Sequence, residues 1–121
     1  ALEYAAHVRD VFGTYDQRVQ RSLVEDGFVA EGPSLIDAVE AGRYNDLDPA
    51  TVADDLAANA DGLAATYEAI PADGWERVHV RLGFEWSVLF TGRRAVHEGN
   101  HHLLDIGRGL RAVRELHKGD A

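Results

Sequence analysis

The stretch from Trp86 to Leu116 constrains the fold most, because it reads as one helix with two apolar sides. Val88, Gly92, Ala95, Val96, Gly99, Leu103, Ile106, Leu110 and Val113 recur along one face. Phe90, His97, His101, Leu104 and Arg108 form a second, on roughly the opposite side at about 100° per residue. A helix that is apolar on two sides must be buried between partners, either other helices of a bundle or a second subunit. At about thirty residues it would span roughly 45 Å. Gly92 and Gly99 share the first face. Each interior glycine costs a helix about 1 kcal/mol relative to alanine, so a close backbone approach is expected to offset it.

Two further segments supply partners. Tyr4, Val8, Val11, Tyr15 and Val19 recur at spacings of three and four, which predicts a helix from residue 1 to about residue 25, ended by Gly27 and Gly32-Pro33. That helix opens without an N-cap, which suggests that it once began earlier. Asp48-Pro49 is a clean helix start, a capping side chain followed by proline at the first helical position. From there Val52, Leu56, Ala60, Leu63, Tyr67 and Ile70 form one stripe that stops at Pro71. Asn59 lies at the edge of that stripe and needs a hydrogen-bond partner if buried. Residues 34–47 permit a short helix ending near Gly42, and the alternating residues 78–82 permit an extended loop or one short strand. The expected fold is an all-α helical bundle forming a single domain over residues 1–121.

Charge narrows the function. The net charge is −9, and Lys118 is the only lysine. Nucleic-acid binding needs a basic surface to displace counterions from phosphates, and an acidic surface is repelled by anionic membranes. No nucleic-acid or membrane partner is therefore expected. There are no cysteines, which excludes disulfides, thiolate metal sites and a cysteine nucleophile in the chain itself. With no spanning segment or signal-peptide pattern in the sequence, a cytoplasmic location is expected.

Three of the six histidines fall in VHEGNHHLLDIG, residues 96–107. His97 and His101 are four apart on one helix face, so their imidazoles can converge on one ion. A third ligand must come from elsewhere, and His7 at the margin of the first helix's apolar face is the best candidate. Three neutral imidazoles with an open position suit a catalytic divalent site rather than a closed structural one. The competing reading is that the histidines are packed polar side chains. His102 points about 100° away from His101 and reads as a packing residue. Asp105 could orient a ligand imidazole, or pair with Arg108 or Arg9. His79 is a weaker candidate for substrate contact, and His117 suits the negative end of the helix dipole.

These segments resemble a known family. LEYAAHVRDV, residues 2–11, resembles the second-helix segment of the DinB-like superfamily, in which a histidine follows a W-x-x-x-E-x-x-x-H type pattern. VHEGNHHLLDIG resembles that family's last-helix H-x-x-x-H-H-x-x-D segment. The superfamily comprises four-helix-bundle proteins, including thiol-dependent S-transferases and the N-terminal domains of mycothiol-dependent maleylpyruvate isomerases. The resemblance implies a metal centre of His7, His97 and His101 that holds zinc or nickel. It implies a small-molecule thiol of the mycothiol type, activated at the metal, and an electrophilic substrate. Asp105 or Glu98 would then orient a ligand or move a proton. The arginine-rich, lysine-poor composition points to a GC-rich genome and favours mycothiol over bacillithiol. The chain departs from the family in starting inside what should be the second helix, so the usual first helix is expected to be lacking. A homodimer is expected to cover the groove this leaves.

Three functions stand against one another: a metal-dependent thiol transferase or isomerase, a non-enzymatic metal-binding or stress-response protein, and a metal-free dimerising helical domain.

Overall fold

A computed structural model describes residues 2–32 and 46–100. The first helix, α1, spans Leu2–Val24. Val8, Val11, Tyr15 and Val19 are buried as their spacing predicts, whereas Tyr4 at the start of the stripe is exposed. A second helix, α2, spans Pro49–Glu68. Its start is the predicted one: the Asp48 carboxylate accepts from the Thr51 amide at 3.1 Å and the Thr51 hydroxyl at 2.7 Å. These bonds hold the Asp48 carboxyl below its ordinary range. A third helix, α3, occupies residues 88–100. The rest of the predicted last helix lies outside the described residues, as does the predicted short helix at 34–42.

Between α1 and α2 the chain forms β1, Phe28–Val29. Between α2 and α3 it forms a hairpin of β2, Val78–Arg81, and β3, Phe84–Ser87. The three strands make one sheet in the order β1-β2-β3, with β1 parallel and β3 antiparallel to β2. The described fold is thus mainly helical with a small sheet, not the all-α bundle expected. The turn explains the difference. Leu82 and Gly83 both have positive φ, 52° and 80°, the backbone of a two-residue hairpin connection. Leucine is a poor residue for that conformation, so the sequence signals the turn weakly. The last helix also begins later than Trp86, which belongs to β3. Ser87 caps it, its hydroxyl accepting from the Phe90 amide at 3.0 Å.

The helix directions follow from cross-contacts. Asn59 of α2 donates to the Arg9 carbonyl of α1 at 2.9 Å, and Thr66 donates to Asp16. Residue numbers rise together, so α1 and α2 run parallel. In α3, Ala95 joins Val11, Tyr15 and Leu63 in the main core, and Gly99 meets Phe12 further along. Against α2, Tyr67 reaches Val88 and Gly92 while Leu63 packs with Ala95, so α3 runs antiparallel to α2 and, with it, to α1. A second cluster, Ala6 with Val52, packs Leu2, Ala5 and Leu47 at the other end of α1. Among the described residues no helix is long and apolar enough to cross a membrane.

Candidate metal centre

His7 lies one residue from Ala6 on α1, partly buried, with its Nδ1 shielded from solvent. It therefore sits at the margin of the core, as its place beside the apolar stripe predicts. His97 lies on α3 and is exposed. Gly99 of the same helix is turned to α1, where a Cβ would stand 3.0 Å from the Phe12 ring. His97 is two residues back and so roughly 200° round the helix from that contact. His101 and Asp105 lie outside the described residues.

The described residues contain no group of three His, Cys, Asp or Glu side chains placed to hold an ion, and two of the three predicted ligands stand among them. The donor set is consistent with a borderline divalent ion: imidazole nitrogens only, in a chain with no thiolate to compete. His7 and His97 stand on neighbouring antiparallel helices.

Glu98 is partly buried rather than turned to water. Its Oε1 accepts from Arg94 Nη2 at 2.8 Å. Both charges lie beside Tyr15, whose phenol is pushed up by burial first and by the Glu98 charge second. The geometry of Glu98 suits positioning.

His79 is not in a loop. It is the central residue of the sheet, 1 % exposed, opposite Phe28 on β1 and Trp86 on β3. The three rings stack at 5.6 and 5.7 Å, and Nε2 meets no hydrogen-bond partner among the described residues. Substrate contact by its imidazole is incompatible with that burial. Desolvation, then the charges of Arg18 and Arg81, lower its pKa to about 4.

A cleft of about 580 Å³ opens beside this sheet, between α1, Asn59 of α2 and β1. Arg18 and Arg21 line it, residues that the hydrophobic pattern treats only as the polar side of α1. Their only sequence signal is two arginines three apart in an acidic chain.

No family model matches the chain, and no curated protein or solved structure shows significant similarity to it.

Proposed function

We propose that His7, His97 and His101 hold one divalent ion, zinc or nickel, and that the chain is a metal-dependent thiol transferase or isomerase of the mycothiol type. The observation that supports this best is the partly buried His7, on a helix that neighbours the one carrying His97; His97 itself is exposed, on the side of α3 away from Phe12. The i, i+4 spacing of His97 and His101 and the resemblance of both segments to DinB-like proteins support it further.

A divalent ion at such a site supplies stabilisation of a thiolate at neutral pH by lowering the pKa of the bound group. The chain has no cysteine, so the sulfur nucleophile comes from a small-molecule thiol and attacks an electrophilic substrate. Glu98, tied to Arg94, braces α3 against Tyr15 next to the ligand pair. Asp105 is assigned the orientation of a ligand imidazole. The same reading makes the chain a cytoplasmic homodimer, the second copy covering the outer side of α3.

Elemental analysis of chelator-washed protein, reloaded with zinc or nickel, tests the centre. About one ion per chain is expected in the wild type, and none in a His97→Ala, His101→Ala double variant that keeps its helical dichroism. His7→Ala should weaken binding without changing helix content. Equal stoichiometry in the double variant, or no metal in any form after reloading, overturns the centre. Saturable thiol binding that requires the loaded ion supports the transferase reading, and metal binding without it leaves a non-enzymatic metal protein.

A further inference from the structure

We infer that the cleft between α1, Asn59 and β1 binds a small oxyanion-bearing molecule, a phosphate or a carboxylate, with Arg18 as its anchor. The inference does not depend on the histidine centre.

Among the described arginines, Arg9, Arg21 and Arg94 meet carboxylates, and Arg77 and Arg81 donate to backbone carbonyls. Arg18 is partly buried yet has neither kind of partner among the described residues. Its strongest charged neighbour is another cation, Arg81, and burial together with that charge lowers its pKa. Removing a cation from water beside a like charge is costly unless an anion completes the site. Sites that break a local rule in this way are where function is expected.

The neighbouring charges are already engaged. Arg81 donates to the carbonyls of Ala30 at 3.2 Å and Gly32 at 2.8 Å, which fixes the β1 wall of the cleft. Arg21 pairs with Glu25 and lies over the Phe28 ring at 4.2 Å. Asp10, one of the two acids on the lining, is bound to Arg9 at 2.9 Å; the other, Glu31, is exposed at the rim. Among the described residues Arg18 is left as the cleft cation that still has donors to offer, and its planar fork matches a phosphate or carboxylate in bidentate fashion. Thr14 and Gln17 supply hydroxyl and amide groups on the same wall, and Phe28 gives an apolar surface for the body of the molecule. The volume falls within the range of small-molecule sites.

The probes are inorganic phosphate and citrate, titrated separately into the full chain at low ionic strength and followed by amide-resonance NMR. Saturable shifts in residues of α1 and β1 are expected with at least one of them. Phosphate alone would identify a phosphoryl group as the ligand's acid, and citrate alone a carboxylate. Affinity should fall at least about tenfold in Arg18→Gln and by less in Arg18→Lys, which keeps the charge without the fork. It should not change in Arg93→Gln, whose exposed arginine lies on α3 away from this cleft. Arg18→Gln should also melt no lower than the wild type, because it removes a partly buried cation that no described carboxylate compensates. The absence of saturation up to about 10 mM, a free energy of only a few kcal/mol, overturns the site. So does binding unchanged in Arg18→Gln. If Arg18→Gln does not fold, unchanged binding in Arg18→Lys together with equal binding at high salt overturns it.

Discussion

The ring of Tyr67 lies against the backbone of Gly92 so closely that a Cβ on Gly92 would stand 2.7 Å from its Cε1 and 2.9 Å from its Cζ. The Tyr67 hydroxyl donates to the Val88 carbonyl one turn earlier at 2.6 Å, so the ring is held at both its face and its tip. This contact joins α2 to α3 and is the reason a helix tolerates glycine there.

Gly92→Ala should therefore destabilise the fold even though alanine is the better helix former. Overpacking against a held ring costs about 1–3 kcal/mol, and the gain in helix propensity returns about 1 kcal/mol. Gly99→Ala meets only the tip of the Phe12 ring, with 3.0 Å to its Cζ, and that ring is partly buried rather than pinned. Chemical denaturation should rank Gly92→Ala as clearly less stable than Gly99→Ala. Equal midpoints, or a stabilised Gly92→Ala, would contradict the contact.

Acid should destabilise the chain through His79. Its folded pKa is about 4, against an ordinary value of 6.5. Between those values the unfolded chain binds a proton that the folded chain refuses. Stability from this group is whole above pH 6.5, falls as pH drops toward 4, and levels off below, a loss of about 3 kcal/mol. The groups that oppose its protonation are Arg18 and Arg81, on α1 and β2. His79→Phe keeps an aromatic ring between Phe28 and Trp86 and removes the titration. Unfolding free energies measured at pH 7 and pH 4.5 should differ less in that variant than in the wild type. An equal pH dependence in both would show that His79 does not sense acid.

The helices were legible where a single physical rule decided them. Asp48-Pro49 marked the start of α2 because capping and the fixed φ of proline act locally. The stripe from Val8 to Val19 marked the buried side of α1 because helical period and burial agree. Asn59 was expected to need a partner, and it found the Arg9 carbonyl. The sheet was harder to read. Its turn uses Leu82 where asparagine would announce it, and β1 is two residues long and pairs in parallel with a strand about fifty residues away. For the same reason His79 read as a loop histidine, since only the register with Phe28 and Trp86 buries it. Of the proposed ligands, the partial burial of His7 was legible from its place beside the apolar stripe of α1, whereas the side of α3 that His97 takes depends on the Gly99–Phe12 contact, which no local pattern encodes. The Arg18 cleft was illegible because a lone arginine on a polar helix face reads as solvated until its neighbours are known.

The outer side of α3 supplies the last prediction. Phe90 is 44 % exposed and is stacked edge-on against Trp86 at 5.1 Å, so the ring is held in place while one side meets water. His97 follows two turns along on the same side, as the second apolar face predicts. Val96 and Leu89 are also exposed on this helix. A held aromatic ring flanked by further exposed apolar side chains on one helix marks an association surface rather than scattered exposure. Light scattering at micromolar concentration should give twice the chain mass of 13.3 kDa. Phe90→Glu should shift it to the single-chain mass, because a charge at the centre of a self-complementary face meets its own copy across the symmetry axis. A single-chain mass for the wild type would remove the dimer. A dimer unaffected by Phe90→Glu would move the interface off this side of α3.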